Sequence, residues 1–352
     1  MVRVRFAPSP TGSLHLGNAL TAVANRRFAD ERGGVMVLRI DDTDPKRSVP
    51  GGEEAILADL EWLGVRYEEG PVQQSRRGDL YRAAAERLLA SGRAFEEDGA
   101  VRFDFDRMRP TLLRPDGTAT YHLASVVDDL ELGVTHVIRG VDLQPATPLH
   151  QELARALGAE PPEFVHHGLV LGEDGRKLSK RHPLSSLADL REAGIPPEAV
   201  RAYLEELGLP KHDVRLDPGR IRRLAVEAIA ALPDEELAAR VGVPVRLAPA
   251  LRGARDLNEA REAARTILEP EPARLPKGAR PTLERFRELR ERTNGGLDAE
   301  GAKAIVRELK AVGGDLRALR LALTGRERGP ELWTVVLALS REEALRRVDA
   351  AL

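Results

Sequence analysis

The chain has 352 residues, 42% hydrophobic and 31% charged, the balance of a soluble globular protein with two or three domains. It contains no cysteine, which excludes disulfides, thiolate metal sites, iron–sulfur clusters and a cysteine nucleophile. Lys+Arg 54 against Asp+Glu 56 gives a formal charge of −2, so no global field gathers polyanions, and a nucleic-acid partner needs local basic faces.

At the N-terminus, Val2, Val4 and Phe6 alternate with Arg3 and Arg5 and read as a strand, broken by Pro8-Ser9-Pro10-Thr11-Gly12. No apolar signal core and no stretch of membrane-spanning length occurs, so the expected compartment is the cytoplasm. From Gly17 the spacing Leu20, Val23, Ala24, Phe28 predicts a helix with one buried face, ended by Gly33-Gly34. Val35 to Ile40 is a short apolar run, read as a buried strand, and Ile56, Leu57, Leu60 and Leu63 mark a second helix. This order opens a parallel α/β domain. Gly99 to Asp116 is short, mixed and turn-rich, an insertion too small for an independent domain. Beyond it we expect a helix from Ala119 through Val127, a strand Val134–Ile138, a helix Pro148–Leu157 and a strand Phe164–Leu171, forming a second half of the same sheet. After Leu209-Pro210 the pattern is almost wholly helical. Pro270, Pro272 and Pro276 mark a linker, and a compact helical module is expected from Pro281.

Two segments carry chemistry. In Arg5–Asn18 two prolines stiffen a strand-to-helix loop, holding His15 and free N–H groups at a helix N-terminus, where anions bind readily. Gly17 lets a ring or phosphate approach the backbone. Alone, His-x-Gly is better read as a turn with an incidental histidine. The second segment, Gly175-Arg176-Lys177-Leu178-Ser179-Lys180-Arg181, puts four cations within six residues after a strand. Such cations suit charge developing on a polyphosphate. Alone, the segment is a solvated basic loop.

The pairing of a strand–PSPTG–HLG–helix opening with a later KLSK loop resembles the two signatures of class I aminoacyl-tRNA synthetases, and most of all the glutamyl-tRNA synthetase family. Leu38-Arg39-Ile40-Asp41-Asp42-Thr43-Asp44, Thr120-Tyr121-His122-Leu123-Ala124, Val126-Val127-Asp128-Asp129, Gly133-Val134-Thr135-His136-Val137-Ile138-Arg139 and Leu323-Thr324-Gly325-Arg326 carry the same likeness. It runs from residue 1 to the C-terminus and is weakest between about 211 and 280. The resemblance implies a Rossmann-like α/β catalytic domain with a parallel sheet, in halves 1–92 and 119–210, split by a connective insertion at 93–118. An all-α region would follow, with a helical stem-contact linker at 211–280 and an anticodon-binding-like module at 281–352.

The implied activity is ATP-dependent conversion of L-glutamate to glutamyl-adenylate, with transfer to the 3′ end of tRNA(Glu). His15 and Lys180 are the implied catalytic residues, His15 facing the ATP phosphates and Lys180 stabilising the α-phosphate. Pro8, Thr11, Gly12, Gly17, Asn18, Lys177 and Ser179 complete the implied ATP site. Arg5, Ala7, Ser9, Asp41, Tyr121 and Arg139 are implied to hold glutamate, whose side chain suits the paired donors of a guanidinium. The chain departs from the family at Asp41, where Glu is usual, at Ser125, where Asn is common, and at Leu143, where Trp is common. Mg2+ is expected on the polyphosphate, zinc is not, and a monomer acting on tRNA(Glu), away from membranes, is expected.

His150 and His166-His167 raise a metal reading, but adjacent strand residues point to opposite faces, which favours structural or substrate-loop roles. Two other functions stay open. A glutamyl-queuosine tRNA(Asp) synthetase shares the chemistry, and Val137–Leu143 leans toward it. The absent cysteine ligands and the long region beyond Lys180 weigh against it. A non-catalytic paralogue binding tRNA or amino acid would not need Arg5, His15, Arg139 and Lys180 intact.

Overall fold

The alternating N-terminal segment forms β1 (Arg3–Phe6), which pairs in parallel with β2 (Val35–Ile40). Between them runs α1 (Leu16–Asp30), which buries Leu16, Ala19, Leu20 and Val23. α2 (Gly52–Trp62) then carries the chain to β3 (Glu69–Gln73), parallel to β2. Crossovers of this kind lay helices on a parallel sheet, which is why the central strand β2 is almost continuously apolar. The computed structural model describes residues 1–178, 184–293 and 296–352. They form two units, Met1–Glu192 with Val200–Pro218, and Ala193–Ala199 with Gly219–Leu352.

In the first unit, α3 (Gly78–Ala90) turns Tyr81, Ala84, Ala85 and Leu88 inward. The turn-rich insertion that follows is more ordered than its sequence indicates. It is a three-stranded antiparallel sheet of β4 (Ala94–Glu97), β5 (Ala100–Phe103) and β6 (Thr111–Leu113). Phe103, Leu112 and Leu113 share one buried cluster with Tyr81, Leu88, Leu123 and Leu153, so this small sheet is stabilised by a core it could not build alone.

The second half of the fold is α4 (Tyr121–Glu131), β7 (His136–Gly140), α5 (Thr147–Ala156) and β8 (Glu163–His167), with β7 and β8 parallel. Thr135 N–H donates to Arg3 O and Arg3 N–H donates to Thr135 Oγ1, both at 2.9 Å, joining this half to β1. The single strand expected over Phe164–Leu171 is broken. β8 ends at His167, and β9 (Val170–Leu171) pairs with β10 (Val214–Arg215), which lies beyond α6 (Leu187–Glu192) and α7 (Pro197–Leu207). At the break Gly168 N–H donates to Pro210 O at 2.7 Å, and a Cβ there would lie 2.0 Å from His212 O. The chain beyond Pro210 therefore begins with a strand before becoming helical.

The second unit holds α8 (Pro218–Ala231), α9 (Asp234–Val241), α10 (Ala248–Leu251), α11 (Leu257–Leu268), α12 (Arg280–Glu291), α13 (Ala299–Ala311), α14 (Leu316–Thr324), α15 (Leu332–Ala338) and α16 (Arg341–Asp349). Asp256, Asp298, Asp315 and Ser340 cap four of these, each accepting a backbone N–H from the first turn. One core serves both sides of the proline-rich stretch at 270–276. Leu247, Leu257 and Ile267 lie in the same cluster as Phe286, Ile305, Leu319, Val335 and Val348. No helix among the described residues is long and apolar enough to cross a membrane.

Candidate active site

The C-terminal ends of β1, β2 and β7 meet the N-termini of α1 and α4 around a cleft of about 170 Å3. Ligands of open parallel sheets bind at such strand ends. Beneath the cleft lies a buried charge network centred on Arg39, the one polar side chain of β2 and 1% exposed. Arg39 donates from Nε and Nη2 to Asp41 at 2.6 and 3.2 Å, and from Nη1 to Asp129 at 2.7 Å. Asp128 accepts from Gln74 Nε2 at 2.8 Å, Arg77 Nε at 2.7 Å and the Tyr81 hydroxyl at 2.9 Å. Buried carboxylates persist only with partners of this kind. Burial pushes the Asp41 carboxyl above its ordinary value, against the opposing pull of Arg39 and Arg5.

Arg5 and Arg139 bring two further buried guanidiniums to the cleft. Arg5 Nε lies 3.3 Å from Asp129 Oδ1 without hydrogen-bond alignment, and its Nη1 donates to Ile138 O at a long 3.4 Å. Arg139 Nη2 donates to Thr147 Oγ1 at 2.9 Å, and its Nη1 donates to the Tyr121 hydroxyl at 3.3 Å and to His150 Nδ1 at 3.4 Å. Its Nε donates to His166 Nε2 at 3.3 Å, and the guanidinium carbon stands 4.9 Å from the Phe164 ring centroid. Burial pulls Arg139 below its ordinary pKa, and Arg5 adds to the effect.

The start of α1 also lines the cleft. His15 is its N-cap, with Nδ1 accepting from Asn18 N–H at 3.2 Å. Burial, and then the charge of Lys177, lower the His15 pKa and keep the ring neutral. A Cβ on Gly17 would come within 3.1 Å of that ring, so any other residue there would press the ring out of this position by a few tenths of an ångström. Lys177 pairs with Asp142. Arg5, Ala7, Pro8, His15, Gly17, Asn18, Asp41, Tyr121, Arg139 and Lys177 are thus brought together at one cleft, together with Leu143. Ser9, Thr11 and Gly12 do not line it, and Ser179 and Lys180 lie outside the described residues. Ser125 is buried on α4, and its hydroxyl has no hydrogen-bond partner among the described residues.

His166 and His167 diverge as neighbours on a strand do. His166 turns to Arg139 and Thr147, while His167 Nε2 meets Thr21 Oγ1 at 2.9 Å. Sequence reasoning gave no role to Arg39, Asp128 or Asp129, nor to Thr147 beside Arg139, and gave His150 and His166 only structural or substrate-loop roles. A signal existed for the first group. An arginine inside an apolar strand and two adjacent aspartates on an amphipathic helix are costly to bury unless they meet.

The family model described as tRNA synthetases class I (E and Q), catalytic domain, matches residues 1–102 and 96–216. The glutamate–tRNA ligase 1 of Rubrobacter xylanophilus is 38% identical, covering 99% of this chain and 97% of its own length. The chain belongs to the glutamyl-tRNA synthetase family. A glutamate–tRNA ligase of Akkermansia muciniphila is 34% identical over 99% of this chain and 98% of its own. Among solved structures, a glutamate tRNA ligase from Elizabethkingia meningosepticum, in complex with its amino acid, superposes with a TM-score of 0.77 at 26% identity, covering 99% of both chains. The Rubrobacter alignment runs over 441 positions against the 352 residues here, so that family member carries segments this chain omits. The two parts of the family match meet at residues 96–102, within the small sheet of β4 and β5.

Proposed function

We propose that this chain is a glutamate–tRNA ligase, activating L-glutamate with ATP and esterifying it to the 3′ end of tRNA(Glu). The observation that carries the reading is a pair of buried guanidiniums, Arg5 and Arg139, facing a helix N-terminus capped by neutral His15, in a chain that aligns end to end with glutamate–tRNA ligases. An acidic amino acid and a polyphosphate are the ligands that two such walls fit.

In the first step a carboxylate oxygen of glutamate attacks the α-phosphorus of ATP in line, and pyrophosphate leaves. In the second a terminal ribose hydroxyl attacks the glutamyl carbonyl carbon, and AMP leaves. Neither step needs a protein nucleophile, so the work of the chain is positioning and charge stabilisation. Since His15 Nδ1 accepts from Asn18, its proton sits on Nε2, a neutral donor for a phosphate oxygen beside the positive end of α1. Lys180 is assigned to the charge that builds on the α-phosphate, with Lys177 and Ser179, its near neighbours in sequence. Pro8, Thr11, Gly12, Gly17 and Asn18 are assigned to the nucleotide, and Mg2+ enters with ATP as part of that substrate. Arg139, Arg5 and Tyr121 are assigned to the acidic side chain of glutamate. Asp41, held by Arg39, is assigned to its ammonium, with Ala7 and Ser9 alongside. We assign no zinc, since His150, His166 and His167 are each engaged by other side chains.

For tRNA, we assign the cleft of the second unit lined by Arg326, Arg328 and Trp333. It adjoins the Leu323-Thr324-Gly325-Arg326 end of α14, and it offers guanidinium and ring faces of the kind that read single-stranded loops. The enzyme is expected to act as a cytoplasmic monomer. An ATP–pyrophosphate exchange assay with glutamate, run with and without tRNA(Glu), tests the reading. Exchange in either condition is expected, and an inert protein in both would leave a non-catalytic paralogue.

A further inference from the structure

Arg139 is 3% exposed, and four acceptors hold it: the Tyr121 hydroxyl, Thr147 Oγ1, His150 Nδ1 and His166 Nε2. A guanidinium has only donors and keeps its proton, so every partner must offer it a lone pair. That requirement fixes the protons around it. His150 accepts at Nδ1, so its proton sits on Nε2 and is donated to His122 Nδ1 at 3.1 Å. His166 accepts at Nε2 from both Arg139 and the Thr147 hydroxyl, the latter at 3.1 Å, so its proton sits on Nδ1. Thr147 accepts from Arg139 and passes its own hydrogen to His166. The whole shell is uncharged. Burial, with the charge of Arg139 added, holds His150 down to about 2, and burial lowers His122 and His166 as well.

The charges behind this shell do not balance. Arg39 engages Asp41 and Asp129, Arg5 sits against Asp129, and Arg77 engages Asp128. Those three aspartates are taken by the other three arginines, which leaves Arg139 as a buried cation whose near partners are all neutral. Buried charge of this kind calls for a counter-ion, and Arg139 lines the open cleft.

We infer that His150 is a positioning residue for glutamate selection, which with Thr147 and His166 fixes the plane of the Arg139 guanidinium while leaving its charge to the incoming carboxylate. The inference rests on the proposed reading of Arg139 as a glutamate-binding residue. An anionic acceptor at this place would supply the missing counter-charge from within and compete with substrate. A side chain with no acceptor would release one edge of the guanidinium.

The test compares three variants at one position by steady-state pyrophosphate exchange, with thermal melting as the control for folding. His150→Leu is expected to raise KM for glutamate about ten- to hundredfold, the size of a lost hydrogen bond to a charged group, with kcat and KM for ATP little changed. His150→Asn, which restores an acceptor near the place of Nδ1, is expected to recover most of that loss. His150→Glu is expected to be worse than His150→Leu, since it neutralises the guanidinium. Should His150→Leu fail to fold, Thr147→Val removes an acceptor from the other end of Arg139 and carries the same expectation, with Thr147→Ser as its rescue. An unchanged KM for glutamate in folded His150→Leu or Thr147→Val, or a His150→Glu enzyme as active as wild type, overturns the inference while leaving the ligase reading intact. A wild-type enzyme that exchanges no pyrophosphate with glutamate, whether tRNA(Glu) is present or absent, overturns the ligase reading, and this inference with it.

Discussion

Replacing Asp129 by Asn keeps the side-chain shape and removes a charge that two guanidiniums share. Arg39 Nη1 donates to Asp129 Oδ1 at 2.7 Å, and Arg5 Nε stands 3.3 Å from the same oxygen. Arg5 is 5% exposed and Arg39 1%, so water cannot take over the lost role. Removing one partner of a buried ion pair costs about 3–5 kcal/mol, because the other charge stays buried. Arg39 keeps Asp41, which places the expected cost near the low end, about 3 kcal/mol. For a unit of this size each kcal/mol moves the melting temperature by about 2–4 °C, so the first unit should melt about 6–12 °C lower. Arg5 loses the carboxylate it sits against, and KM for glutamate should rise by about tenfold. Calorimetry and pyrophosphate exchange on the same preparation measure the two effects. Asp79→Asn serves as control, since Asp79 pairs with Arg82 on an open surface and should change neither. An Asp129→Asn protein that melts like wild type and keeps its KM would show that the buried network does not hold the site.

Lys180→Ala is expected to slow glutamate activation by about 10²–10³-fold with little change in KM for glutamate, and a normal rate would remove the KLSK loop from the chemistry. The buried neutral His150 makes stability fall with acid. Its pKa is about 2 in the folded chain against 6.5 for the free side chain, so unfolding takes up a proton below pH 6.5. Its contribution is complete above that pH and is lost at about 1.4 kcal/mol per pH unit below it. Denaturant titrations between about pH 7 and 5 should show the slope, and His150→Asn should reduce it by one proton; an unreduced slope would mean that His150 is not the group responsible. A chain ending at Pro218 retains the buried clusters of the first unit and should still bind ATP and glutamate, while its charging of tRNA falls sharply and loses salt dependence. Undiminished charging would take tRNA recognition away from the second unit.

What the sequence discloses here follows the range of the interactions involved. The β1–loop–α1 opening and the amphipathic helices are local, and their alternation, prolines and apolar spacing are legible by eye. The small sheet of β4, β5 and β6 is not, because its register depends on a shared core with Tyr81 and Leu153 well outside it. The pairing of β9 with β10 joins Val170 to Val214 through two-residue strands too short to show a period. In the site, His15 and the cationic loop stand out through motif resemblance. Arg39 stands out less, since one arginine in an apolar strand acquires meaning only when Asp128 and Asp129 arrive from α4, some ninety residues along the chain. The neutral shell of Arg139 is hidden for the same reason: Tyr121, Thr147, His150 and His166 come from two helices and a strand.

The most direct test of the central claim is formation of glutamyl ester on purified tRNAs with radiolabelled glutamate. The expected result is ATP-dependent charging of tRNA(Glu) by the wild-type chain, and a collapse of the preference for glutamate over glutamine in Arg139→Ala, whose pocket has lost its two-pronged carboxylate partner. Labelling confined to queuosine-bearing tRNA(Asp), or no labelling of any tRNA, would contradict it.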